Sequence, residues 1–210
     1  MSLTTPLPTL ATERDLIASG AKLVAGVDEV GRGAIAGPVT VGIVLVDAST
    51  PDPPPGLRDS KDLTANVRAT LVPAITAWSV ASTVAHASAQ EVDKLGIIGA
   101  LRLATHRGLV RLGRKRVDVI LLDGNHDWLT GPAAMARVIT LIKGDQHCAA
   151  IAAGSVIAKQ ERDATMAELS TKFPEYHWDQ NKGYATTEHR AALTRLGPSR
   201  QHRRSWNLPI

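Results

Sequence analysis

Residues 23–47 read LVAGVDEVGRGAIAGPVTVGIVLVD. Two Val- and Ile-rich runs, 23–28 and 38–47, have the composition of strands, and a glycine-rich turn joins them. Asp28 and Glu29 close the first run. Two bare carboxylates beside a buried strand are costly unless something cationic compensates them. Neighbouring side chains on an ideal strand point to opposite faces. The pair therefore shares one site only if the strand ends or bends there, or if Glu29 contributes its backbone carbonyl.

Working outward, AWSVASTVAHAS (77–88) alternates loosely and predicts a third strand. VDVILLDG (117–124) is the strongly apolar kind of strand found inside a sheet covered on both faces, and ARVITLIKGD (136–145) predicts a fifth. Helical patterns cover about Asp62 to Leu71, 97–113 with Gly113 as its stop signal, and 148–172. TPDPPPG (50–56) is a surface loop. Three strands on short links, followed by strands alternating with helices, predict an α/β fold with a mixed five-stranded sheet flanked by helices. Residues 1–171 would form the main domain and 172–210 a basic C-terminal helical segment.

The chain's 210 residues suit one globular domain, and its 44% apolar content with only 3% aromatics calls for an aliphatic core. No apolar run of about 18 residues is present, so no membrane span is expected. The N-terminus lacks the basic and apolar regions of a signal peptide, and the single Cys148 can form neither an internal disulfide nor a cysteine-based zinc site. A cytoplasmic monomer is the simplest expectation. Of the net charge of +4, all falls in residues 172–210, where seven Lys/Arg face three acids. Such a segment is a footprint for polyanions, or else a solubilising tail.

The acids then group themselves. Asp28 and Glu29 end one strand, Asp123 ends VILLD, and Asp145 follows VITLIKG. Sites in open α/β sheets form outside the carboxyl ends of strands. Four carboxylates there repel one another unless hard cations sit among them, and all-oxygen sites suit Mg2+ or Mn2+. This is a ligand set for two-metal phosphoryl chemistry. GRGAIAG (31–37) is one residue off the dinucleotide fingerprint and leads into a strand, not a helix. Gly31, Arg32 and Gly33 instead suit close approach of backbone amides and one guanidinium to a substrate backbone. Among the lysines only Lys61 lies in a motif. Asp163 is expected at the surface, Asp127 in a turn and Asp118 at the far end of its strand. The seven histidines show no zinc spacing, and Trp128, Trp178 and Trp206 are expected to anchor packing.

Taken together, VDEVGRGAIAGPV, DSKDL (59–63), LLDGN (121–125), IKGD (142–145), IAAGSVIAK (151–159), KGYAT (182–186) and HRRSW (202–206) resemble the ribonuclease HII family. The motifs span residues 24–206; Asp62 stands where a second lysine is more frequent. The resemblance implies a ribonuclease H-like fold and a Mn2+- or Mg2+-dependent endonuclease, with two ions during catalysis. Its substrates would be RNA–DNA hybrids and duplex DNA containing ribonucleotides. Cutting 5′ to a ribonucleotide would leave a 3′-hydroxyl and a 5′-phosphate. By the same resemblance, Asp28, Glu29, Asp123 and Asp145 are the catalytic, metal-holding carboxylates. Gly31, Arg32 and Gly33 would read the ribose 2′-hydroxyl, and Tyr184 would pack on the adjoining deoxyribose. Lys61, Arg203 and Arg204 are candidate phosphate contacts. The alternative is a non-catalytic hybrid-binding protein that uses the basic C-terminal segment alone.

Overall fold

The structure, a computed structural model, describes residues 7–113, 116–130 and 136–208. Residues 131–135 of the predicted link between the third and fourth acids, and the extreme ends of the 1–171 and 172–210 ranges, lie outside the described residues.

The five predicted strands form: β1 (Val24–Val30), β2 (Val39–Val46), β3 (Ala81–Ala87), β4 (Val119–Asp123) and β5 (Arg137–Leu141). They build one sheet in the order β3-β2-β1-β4-β5. Pairs β1–β2 and β2–β3 are antiparallel, while β1–β4 and β4–β5 are parallel. Only β1–β2 has the short link expected of the first three strands, because residues 47–80, with a helix at Ala65–Trp78, separate β2 from β3. The carboxyl ends of β1, β4 and β5 therefore point the same way, and the acids of all three converge at one edge.

Helices α1 (Ala11–Ala18), α2 (Ala65–Trp78), α3 (Ala89–Arg111), α4 (Gly144–His147) and α5 (Ala149–Lys172) surround the sheet. Some boundaries differ from expectation: α2 starts at Ala65, capped by Thr64, and not at Asp62. Leu71, Ile75 and Trp78 fall on one buried stripe, so α2 takes in Ala77 and Trp78 and β3 starts only at Ala81. Helix α3 breaks at Gly96 (φ 68°), so its second part starts at Ile97 as expected. The first part, from Ala89, is an addition begun by a capping box of Ser88 and Glu91, with Ser88 N–H donating to Glu91 Oε2 at 2.9 Å. The helix α1 has no counterpart in the sequence expectations. Among the described residues no helix is long and apolar enough to cross a membrane.

Helix α5 is the spine. Every residue from Ala149 to Ala158 is buried, and the small side chains let its axis lie close on β1 and β2. A Cβ on Gly26 would sit 2.2 Å from the Ala150 carbonyl carbon, and one on Gly42 only 2.0 Å from the Gly154 oxygen. Those strand glycines are there for backbone approach. On the other sheet face α3 packs on Ala25, Val27, Val41 and Ile43. Trp128 is buried there, as expected of an anchor.

The segment after α5 folds onto the rest through α6 (Trp178–Asn181), α7 (Thr187–Leu196) and a third apolar cluster. Tyr176, Trp178, Ala192 and Leu193 pack with Met166 of α5 and with Ile35 and Ala36 of the β1–β2 turn. The backbone joins in: Ile35 N–H donates to the Gly183 carbonyl at 2.9 Å, and Arg203 N–H to the Ile35 carbonyl at 2.9 Å.

Candidate active site

Asp28 and Asp123 sit on neighbouring parallel strands with their side chains on the α5 side of the sheet. The parallel register of β1 and β4 places Asp28 one step beyond the Val27–Leu122 pair, level with Asp123. Asp145 arrives from α4, just after β5, where Lys143 adopts a left-handed conformation (φ 56°) and turns the chain inward. One carboxylate oxygen from each of Asp28, Asp123 and Asp145 lies within 4.8 Å of the others. Three carboxylates in such proximity cannot all stay ionised unaided.

Asp28 and Asp145 show the effect. Burial holds the Asp28 carboxyl well above the usual range, reinforced by Asp123 and Glu29, while the Ser155 hydroxyl and Lys61 oppose the shift. Burial also raises Asp145, against the pull of Lys61. The Lys61 ammonium bonds Asp145 Oδ2 at 2.9 Å and Asp59 Oδ2 at 3.3 Å, yet its side chain remains 70% exposed. It is the one direct cationic partner that the described residues bring to the three aspartates.

Glu29 takes a different position. The β1–β2 ladder runs on through Val30, paired with Thr40, so the anticipated bend is not there. The Glu29 side chain lies on the opposite face from Asp28, outside the group of three. Its Oε1 accepts from Arg32 Nη1 at 3.3 Å, and its Oε2 is buried with no protein partner. Burial raises its pKa, with Arg32 opposing and Asp123 adding to the rise, so it still feels the aspartate cluster.

Gly31 has φ +83°, and a Cβ there would meet Arg162 Nε at 2.0 Å. Arg32 and Gly33 are exposed beside the carboxylates. Beneath them lie two arginines. Arg203, expected to face phosphates, is fully buried. Its guanidinium donates to the carbonyls of Arg32 (2.8 Å), Gly31 (2.6 Å) and Gly37 (3.3 Å), and it stacks 4.9 Å from the Trp206 ring. Arg203 is a support of the turn and not an outward contact, because three carbonyls take up its donors. Arg204 is exposed, with its N–H on Asp93. Tyr184 is 41% exposed, with the Arg162 guanidinium 5.7 Å from its ring.

Sequence reasoning missed several supports. Arg162 is buried and donates to the carbonyls of Pro38 (3.0 Å), Lys182 (2.9 Å) and Ala36 (3.4 Å). Its signal was an arginine on the stripe of Ser155, Ala158 and Met166 in an otherwise small-residue helix face. Ser155 bonds Ser60 at 2.8 Å beside Asp28. Asp163 is no free surface charge, since it pairs with Arg68 at 3.0 Å and Lys159 at 2.5 Å. Asp127 accepts from Leu129 and Thr130 N–H in a turn, and Asp118 accepts from Lys22 and Leu23 N–H at the far strand end, both as expected.

A model of the ribonuclease HII family matches residues 25–208. The chain belongs to the ribonuclease HII family. The ribonuclease HII of Streptomyces griseus is 50% identical over 203 residues, covering 95% of this chain and 84% of that protein. The solved ribonuclease H2 of Pyrococcus horikoshii superposes with a TM-score of 0.68 at 25% identity, covering 89% of this chain and 95% of that one. A ribonuclease HIII, Bst-RNase HIII, solved in complex with Mn2+, gives a TM-score of 0.68 at 21% identity over 90% of this chain and 68% of its own. The fold is thus ribonuclease H-like, and the protein is a ribonuclease H, a hydrolase that cuts within a nucleic-acid strand. That overturns the reading as a non-catalytic hybrid-binding protein.

Proposed function

We propose that this ribonuclease H cleaves the RNA strand of RNA–DNA hybrids and cuts 5′ to single ribonucleotides embedded in duplex DNA. The products would carry a 3′-hydroxyl and a 5′-phosphate. The observation that carries the reading is the convergence of three aspartate oxygens within 4.8 Å beside the exposed Arg32–Gly33 turn.

The donor set fits hard divalent ions, Mn2+ or Mg2+. All donors are carboxylate oxygens, the buried Asp28 favours its neutral form without a cation, and a lysine ammonium sits on Asp145. Asp28, Asp123 and Asp145 would hold the ions, with Glu29 adding its backbone carbonyl. When bound, a pair of such ions acidifies the attacking water and stabilises the departing oxygen.

The chain's own groups do the rest. Gly31, Arg32 and Gly33 bring backbone and guanidinium to the ribose, where a 2′-hydroxyl distinguishes RNA from DNA. Arg203 and Arg162 keep that turn in shape from below. Tyr184 offers its exposed ring to the neighbouring deoxyribose. Lys61 keeps Asp145 oriented and presents positive charge toward a phosphate. The exposed Arg204 and the other exposed basic groups of 172–210 approach the duplex backbone, while residues 1–171 hold the chemistry. In this reading the protein works as a cytoplasmic monomer.

The test is a DNA duplex with one embedded ribonucleotide, with and without chelator. A single cut 5′ to the ribonucleotide, lost on chelation, is expected. Equal cutting of an all-DNA duplex, or cutting indifferent to chelator, would sink the proposal.

A further inference from the structure

His189 and His202 lie apart from the aspartates, essentially fully buried against the stacked rings of Tyr176 and Trp178. Their partners fix where each ring carries its proton. The Tyr184 carbonyl can only accept, so His189 Nδ1, 2.8 Å away, bears hydrogen. Trp178 Nε1 can only donate, so His189 Nε2, 3.1 Å away, is a bare acceptor. The contact between the two Nε2 atoms, at 3.0 Å, then requires the hydrogen to be on His202. That leaves His202 Nδ1 as an acceptor, and Ser199 N–H donates to it at 3.0 Å. Both rings are neutral, each in a single tautomer, and all four nitrogens are bonded, with the Trp178 and His202 N–H groups sharing the single lone pair of His189 Nε2. A second tautomer of either ring would set donor against donor, and a ring flip would put C–H groups where the nitrogens now bond.

The bridge joins the two segments that carry the proposed ribose contacts. On one side His189 grips the carbonyl of the exposed Tyr184. On the other, His202 pairs with Ala36 as an antiparallel bridge, flanked by Gly37 N–H on the Gln201 carbonyl at 2.8 Å. Ala36 and Gly37 continue the turn that carries Gly31, Arg32 and Gly33. We propose that His189 and His202 are positioning residues whose single-tautomer bridge ties Tyr184 to the glycine–arginine–glycine turn, so that the two ribose-reading elements move as one unit. The proposal rests on the reading of those elements as substrate contacts.

Two near-isosteric replacements separate this role from a merely local one. His202→Gln can still donate from the position of Nε2 but loses the acceptor for Ser199. His202→Asn keeps that acceptor and loses the bridge. On the duplex with one embedded ribonucleotide, His202→Asn should raise KM about tenfold with kcat within about twofold of the parent. His202→Gln should stay within about threefold in both constants. The reverse order, equal losses, or a fall in kcat alone would overturn the proposal. A readout that needs no substrate and no variant is the nitrogen-15 spectrum of the imidazoles at pH 7. His189 should appear as the Nδ1–H tautomer and His202 as Nε2–H; any other tautomer, or a charged ring, would overturn the bridge. Should the parent protein fail to cut the duplex, the functional reading falls while the tautomer result stands on its own.

Discussion

Asp28 occupies a position where burial and two neighbouring acids all favour the uncharged carboxyl. Without a cation at neutral pH, that crowding works against the folded chain. Asp28→Asn should therefore raise the melting temperature in chelator by a few degrees while lowering cleavage on the order of a thousandfold. Calorimetry in chelator and the embedded-ribonucleotide assay measure the two effects, and a variant that loses both stability and activity would contradict the account. The acids could be read from sequence because each ends or follows an apolar strand, and strand ends gather at one edge. The side of the strand that Glu29 faces also follows from alternation, since the ladder stays regular through Val30. Arg203 departs from expectation for a physical reason: charge suggests an exposed cation, and only tertiary structure supplies the three carbonyls that let a guanidinium be buried.

At the scale of elements, α1 shows how a short segment can secure a long helix. Cys148 offers no side-chain cap to α5. Instead Glu13 Oε1 accepts from Ala150 N–H at 2.8 Å and from Cys148 Sγ at 3.1 Å, while Oε2 is buried without a partner. Burial raises Glu13 above its ordinary 4.5, so the folded chain binds this proton more tightly than the unfolded one. The associated stability is complete below the unfolded value and is lost as pH rises through the folded value. Glu13→Gln keeps the acceptor without the charge. Its melting temperature should stay level where the parent's declines as pH rises above 4.5. Glu13→Ala should cost about 1–2 kcal/mol even at low pH, because the α5 amide loses its acceptor. Thermal melts of the three proteins across pH check this, and parallel slopes for parent and Gln variant would refute it. The capping box that starts α3 was present in the sequence as Ser88 and Glu91. The cap on α5 was not, since its acceptor comes from 137 residues away.

At the scale of the whole molecule, the excess positive charge of residues 172–210 sits on a segment packed against the β1–β2 turn. A duplex reaching the aspartates from that side would displace counterions from its phosphates, so affinity should fall steeply with salt. Replacing the exposed Arg200 and Arg204 by Gln should lower the slope of log affinity against log salt by about one for each phosphate no longer neutralised, with kcat unchanged. Binding titrations over a range of salt test it, and an unaltered slope would place the duplex elsewhere. The sequence by itself determined the five strands, the mixed character of their sheet and the candidate acids, because hydrophobic period and strand-end placement are local properties. Only the tertiary structure decided which carboxylates converge, which arginines turn inward and how Tyr184 is joined to the glycine turn. Those outcomes depend on contacts between residues far apart in the chain, where burial and shared hydrogen bonds outweigh any local preference.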